Sequence, residues 1–175
     1  MAEGFAAGGF PFKPFDVQSS PTFAEQQKIQ ELKMSELKLH PNAAQSLNQW
    51  HAMIKKADLK ALPELLDPQV VFRSPMAHTP YPGAPVVNMI LNTVSGVFED
   101  FQYHRELSTA DGLNVILEFS ARVGEKQLKG IDMIRFNEQG KIVEFEVMVR
   151  PLSGLQALGE EMGRRLGAFL AASKA

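Results

Sequence analysis

The amino-acid sequence predicts an α+β domain: a curved antiparallel sheet wrapped around N-terminal helices as a conical barrel, with an N-terminal arm and a C-terminal helix. Three observations carry this. From Phe101 to Val149 apolar residues alternate with a period of two in four successive runs. The runs are joined by Ala110-Asp111-Gly112, Gly124-Glu125-Lys126 and Glu138-Gln139-Gly140, links too short for anything but antiparallel neighbours. Ahead of the runs and after Pro151 the apolar spacing is three and four, the signature of helices that cover a sheet.

The N-terminal stretch Met1 to Pro21 is rich in Gly, Pro and Phe and shows no period, so it reads as an irregular arm. Phe5, Phe10, Phe12 and Phe15 are costly to leave in water. The arm therefore either drapes over its own domain or a partner, or is a mobile tail. Thr22 to His40 is composed of good helix formers, with Thr22 and Glu25 spaced as a capping box, and should end before Pro41. Asn42 is the expected cap of the next helix, whose stripe is Ala43, Leu47, Trp50, Ile54 and Ala57. A short helix over Leu59 to Leu66 follows Asp58.

Gln69 to Ser74 reads as a strand with Val70 and Phe72 on one face. The proline-rich loop Pro75 to Pro85 is stiff and belongs at the surface or over a cavity mouth. Val86 to Phe98 is a helix with Val87, Ile90, Leu91, Val94 and Phe98 on its inner side. The four strands then cover Phe101–Thr109, Leu113–Val123, Gln127–Asn137 and Lys141–Val149. The last helix runs from Leu152 to about Ala171 through Leu155, Leu158, Met162, Leu166 and Phe169.

A chain of 175 residues, 45% hydrophobic and 22% charged, holds one sizeable core but not two. The expected organisation is an arm and helix over 1–40 and a domain over 41–175. A net charge of −2 with no basic stripe argues against nucleic-acid binding. The absence of cysteine excludes disulfides, thiolate zinc sites and a cysteine nucleophile. No apolar run reaches membrane-spanning length, and MAEGFAAGGFPF lacks the basic and continuous apolar regions of a secretory signal. The expectation is a soluble, cytoplasmic protein with no membrane partner.

The closing hairpin carries the pattern Gly130-Ile131-Asp132, Arg135-Phe136 and Gly140-Lys141-Ile142-Val143-Glu144. This resembles the hairpin of SnoaL-like proteins in the nuclear transport factor 2-like superfamily, and the element order from Asn42 to Pro151 matches as well. The resemblance implies a conical α+β barrel with an apolar pocket inside, usually dimeric through the convex side of the sheet. It spans isomerases, cyclases, epoxide hydrolases and non-catalytic domains. SnoaL-like cyclases and limonene epoxide hydrolase-like members commonly hold an acid where this chain has Val147. The late central-strand acid of the epoxide hydrolases falls near Ala121, with Phe119 at their arginine position.

Alternation places Val143, Phe145, Val147 and Val149 on the concave side and Ile142, Glu144, Glu146, Met148 and Arg150 on the convex side. Leu128, Gly130, Asp132, Ile134 and Phe136 share a face, so Asp132 is a carboxylate among apolar groups. Burial raises the pKa of such a group, which prepares it as a general base or proton donor; the alternative is a structural acid satisfied by its neighbours. Tyr103 and Arg105, on the face of Phe101, are its expected polar partners if that face is concave; the alternative turns His104 and Glu106 inward. In the proline-rich loop His78 could shuttle protons and Tyr81 could donate to an oxyanion, or the two are a surface histidine and a packing tyrosine. Trp50, His51, Phe72 and Ser74 could line the inner end of the cavity, with core packing the default reading for Trp50 and Phe72, and Phe98 and Phe119 complete the expected lining. Glu118 belongs with Glu144 and Glu146 on the convex face, where Arg122, Arg135 and Arg150 are available as cations; such pairs either line a dimer seam or form a solvated polar face.

The four histidines have no metal-ligand spacing, and there is no nucleophile elbow or phosphate-cradling loop, so neither metal nor cofactor is expected. The sequence thus points to a homodimer that takes a small apolar ligand into an enclosed pocket, with isomerase or cyclase acid–base chemistry at Asp132. The alternative is a non-catalytic dimerisation or interaction domain.

Overall fold

The computed structural model describes Thr22, Lys28 and residues 38–172. The arm with its four phenylalanines, most of the helix expected over Thr22 to His40, and the Phe169 side chain lie outside the described residues. The elements are α1 (Pro41–Lys56), α2 (Leu62–Leu65), β1 (Leu66–Arg73), β2 (Tyr81–Pro82), α3 (Ala84–Ser95), β3 (Glu99–Ser108), β4 (Asn114–Val123), β5 (Lys126–Phe136), β6 (Ile142–Arg150) and α4 (Leu152–Ala172).

The four alternating runs form the antiparallel meander β3-β4-β5-β6. The sheet is larger than the meander and not purely antiparallel. Its order is β2-β1-β6-β5-β4-β3, unclosed, and β1 runs parallel to β6. Only a short link forces antiparallel pairing, and β1 is separated from β6 by the whole meander, so nothing local dictates its direction.

Pro41, rather than Asn42, opens α1. Proline lacks the N–H that a first-turn residue leaves unbonded, so it is well placed there. Asn42 instead donates from Nδ2 to the Glu138 carbonyl at 2.7 Å. This ties α1 to the β5–β6 turn, where Gly140 has φ of 79° and a Cβ would sit 2.6 Å from the Asn42 carbonyl oxygen. The buried stripe of α1 is Ala43, Leu47, Trp50 and Met53; Ala57 is the left-handed C-cap rather than a core residue. The helix expected from Leu59 is reduced to Leu62–Leu65.

Register slips decide what faces inward. One between Arg135 and Phe136 pairs Phe136 with Ile142 and Arg135 with Glu144. An extra residue in one strand inverts the alternation beyond it. Ile142, assigned to the convex side by simple alternation, is therefore fully buried on the core side. A second slip, between Tyr103 and Glu106 on β3, turns Arg105 outward and Glu106 inward.

The core has two parts. One joins α1 and α3 to the sheet through Leu47, Trp50, Phe72, Val87 and Phe145; the other lies under α4 around Phe119, Leu128 and Leu158. Val94, Tyr103, Val147 and Met162 pack against both parts while only partly buried. They mark a hollow between the two. No helix among the described residues is long and apolar enough to cross a membrane.

Candidate functional site

The hollow is a cavity of about 470 Å³. Its floor is Asp132, Phe145 and Val147 from the sheet; Trp50, Phe72 and Tyr81 form one wall; Leu91 and Val94 of α3, with Phe98 just after its end, form another. Leu158 and Met162 of α4 close it, with Pro75 and Met76 of the proline-rich loop beside them. The loop and α4 touch so closely that a Cβ on Gly159 would lie 2.5 Å from Met76 Cε. Among the described lining residues Asp132 is the one that carries a charge.

The period of two brings Asp132 inside. It shares the buried face of β5 with Leu128, Ile134 and Phe136 and is 6% exposed. Tyr103 reaches from β3 across β4, and its O–H donates to Asp132 Oδ2 at 2.6 Å. Trp50 Nε1–H donates in turn to the Tyr103 hydroxyl oxygen at 3.0 Å. The second carboxyl oxygen, Oδ1, receives no hydrogen bond from the described residues.

Burial disfavours the carboxylate and pushes the Asp132 pKa up to about 7, while the Tyr103 hydrogen bond pulls against it. The Tyr103 phenol is driven well above its ordinary value, by burial first and then by the neighbouring Asp132 charge. Tyr103 therefore stays protonated as the donor. Asp132 populates both its forms near neutral pH, as a group that must take up a proton and give it back requires.

Of the residues singled out from the sequence, the structure brings Asp132, Tyr103, Trp50, Phe72, Tyr81, Phe98, Phe145 and Val147 together around one cavity, with Ser74 beside them. Four others are not there. His51, expected at the inner end, packs against Tyr103 from outside the lining. Arg105 is exposed and binds Glu118 on the outer face, with Nε to Oε2 at 2.5 Å, because the slip after Tyr103 reverses its side. Phe119 is fully buried behind the lining, stacked on Phe101 at 5.2 Å and tilted against Phe98 at 5.6 Å; its face was read correctly but not its depth. His78 is exposed and does not line the cavity, since the loop contributes Pro75 and Met76 instead.

Sequence reasoning missed Met76 and held an inward Glu106 only as the alternative to an inward Arg105. Nothing marks the Met76 position, although the apolar stripe of α4 was a signal that Leu158 and Met162 would cover the hollow. The outer-face acids Glu118 and Glu144 are paired with arginines, but of the three expected cations Arg135 binds Glu144 while Arg122 binds Glu99 and Asp100 instead. Glu144 accepts from Arg73 at 2.6 Å and from Arg135 at 3.0 Å, and Glu118 is held by Arg105. No group of three or more His, Asp or Glu able to hold a metal occurs among the described residues.

A curved six-stranded sheet with helices over one side defines the class of protein. The family model described as the SnoaL-like domain matches residues 47–145, and this chain belongs to that family. A crystal structure of a steroid delta-isomerase from Pseudomonas aeruginosa is 69% identical, over 78% of this chain and 99% of the other, with a TM-score of 0.75. An uncharacterized protein with a cystatin-like fold from Silicibacter pomeroyi DSS-3 is 31% identical, over 77% of this chain and 92% of the other, with a TM-score of 0.67. The epoxide hydrolase/cyclase-like enzyme SalBIII, 14% identical over 70% of this chain and 94% of the other with a TM-score of 0.53, shares the fold alone. No curated protein matches.

Proposed function

We propose that this chain is a cofactor-independent isomerase that moves a proton within a small, mostly apolar carbonyl compound such as a steroid-type ketone. The observation that carries the reading is a carboxyl group of pKa about 7, held at one oxygen by Tyr103 and lining an apolar cavity. A cavity of about 470 Å³ suits a drug-sized apolar molecule. The 69% identical structure is a steroid delta-isomerase.

In this reading the ionised Asp132 removes a proton from the carbon between a carbonyl and an isolated double bond. The C–H electrons form a new C=C, and the carbonyl takes the negative charge as a dienolate. The protonated Asp132 returns the proton at the far carbon, giving the conjugated ketone. Atoms and oxidation state balance without a cofactor. Tyr103 and Trp50 act by keeping Oδ2 fixed so that Oδ1 faces the cavity. Register supports the placement. Asp132 is the cross-strand partner of Val147, the position where the family resemblance implies an acid, so the carboxylate reaches the same part of the floor from the neighbouring strand.

The test is conversion of a Δ5-3-ketosteroid to its conjugated isomer by wild type and by Asp132→Asn. Loss of general acid–base catalysis should cost about 10²- to 10⁴-fold in kcat with binding retained. Equal turnover in a folded variant would remove Asp132 from the mechanism. A single charged group in the cavity also fits a carrier that binds without reacting; wild-type binding with no turnover would select that reading.

We also propose that the working form is a homodimer joined through the convex face. There the cross-strand row Leu107, Ile116 and Met133 and the neighbouring Ile131 and Met148 are apolar, with Leu107 58% and Met148 49% exposed. A monomer in sedimentation at micromolar concentration would reject it.

A further inference from the structure

We infer that His51 and Glu106 are a positioning pair that fixes Tyr103 against Asp132 from behind the cavity wall. The inference rests on reading Tyr103 and Asp132 as the working pair of the cavity, and it concerns two residues that no ligand in the cavity would touch.

Two consecutive side chains of α1 grip Tyr103. Trp50 donates to its hydroxyl oxygen at 3.0 Å, and the His51 ring meets its ring edge-on, with centroids 5.5 Å apart at an interplanar angle of 86°. Behind them, His51 Nε2 lies 3.3 Å from Glu106 Oε1, and the two side chains are only 9% and 16% exposed. Neither residue lines the cavity. An acid turned into an apolar interior is destabilising unless it is paired. The chain nonetheless makes a register slip on β3 that brings Glu106 inside and sends the neighbouring Arg105 out.

The contact is close but is not an aligned hydrogen bond. His51 Nε2 and Glu106 Oε2 are buried and have no hydrogen-bond partner among the described residues. A pair placed in this way holds the Tyr103 ring by packing while leaving the hydroxyl to Trp50 and Asp132. Glu106 also adds a small share to the rise in the Tyr103 proton affinity, after burial and Asp132, and so helps to keep the phenol a donor. The groups that face the Tyr103–Asp132 pair are Trp50 and His51 from α1, Glu106 from β3 and the Tyr81 phenol from β2; β4 and β6 present Leu117, Phe119, Phe145 and Val147.

Trp50 is the sole tryptophan of the chain, so its indole N–H is a unique reporter of Tyr103. The experiment records that N–H resonance and its solvent exchange against pH in wild type, His51→Phe and Glu106→Gln, all without ligand. His51→Phe keeps a ring and removes its nitrogens; Glu106→Gln keeps the shape and removes the charge. With the pair broken, the Trp50–Tyr103 hydrogen bond should open more often, so indole exchange speeds up by about tenfold at unchanged global stability. The Tyr103 bond that restrains the Asp132 pKa should loosen, so the titration step seen through the indole moves up by about half a pH unit.

Indole exchange as slow as wild type in a folded Glu106→Gln protein overturns the inference, whatever His51→Phe does. The measurement uses no substrate. A wild type that turns nothing over would refute the isomerase reading and leave this result standing.

Discussion

The two faces of the sheet use the same chemical group to opposite ends. On the concave side Asp132 sits among phenylalanines with one hydrogen-bond donor, and its pKa rises to about 7. On the convex side Glu144 lies between Arg73 and Arg135, and hydrogen bonds from both guanidinium groups hold its carboxyl below the ordinary value. Glu118, clasped by Arg105, is lowered in the same way. Side-chain parity along a strand thus decides more than burial: it separates a group that can exchange a proton at neutral pH from groups locked as anions. The concave acid is chemically ready, and the convex acids fasten strands together.

The largest effect that would break this contrast is a stability slope. Folded Asp132 binds its proton more tightly than the unfolded carboxyl, about 7 against 3.8. Its stabilising contribution is therefore complete below pH 3.8 and is lost as the pH rises to about 7. Across that window wild type should lose on the order of 4 kcal/mol relative to Asp132→Asn, at about 1.4 kcal/mol per pKa unit. Denaturant unfolding of both proteins across the window reads the difference; parallel curves would mean that Asp132 is not buried as described.

Next in size is a change that touches the wall behind the acid. A Cβ on Gly130 would lie 2.5 Å from the backbone oxygen of Met148 and press on the Phe119 ring, neither of which can easily yield. Gly130→Ala should cost about 1–3 kcal/mol by overpacking and push Phe119 toward the cavity. A neutral result in thermal unfolding would show that the wall is looser than its packing implies. The smallest effect belongs to the convex face. Glu144→Gln should change stability by less than about 1 kcal/mol, because partly exposed ion pairs contribute little, and should leave any turnover unaltered. A loss of several-fold in activity would mean that the two faces are not independent.

The alternation from Phe101 to Val149 made the meander readable, and with it the inward position of Asp132, Phe145 and Val147, because a period of two assigns every residue to a side. The register slips were not readable. A single inserted residue leaves no compositional mark, so Arg105 was expected inside and Ile142 outside, and an inward Glu106 was only the alternative to Tyr103 and Arg105, whereas the slip turns both Tyr103 and Glu106 inward. The parallel pairing of β1 with β6 depends on contacts between distant parts of the chain and has no local signature. Phe119 shows a further boundary. Parity gives a side chain its direction but not whether another ring, here Phe101, stands between it and the cavity. His78 was chosen for its chemistry and its place in a loop near the expected cavity mouth, but the loop lines the cavity with Pro75 and Met76 instead.

The central claim is that one carboxyl group inside an apolar cavity ionises near neutral pH. Carbon-13 labelling of the aspartates and an NMR titration of their carboxyl resonances measures it directly. One resonance should titrate with a midpoint of about 7 and disappear in Asp132→Asn. If every aspartate carboxyl instead titrates below about pH 5, as ordinary or ion-paired acids do, the account of the site is wrong.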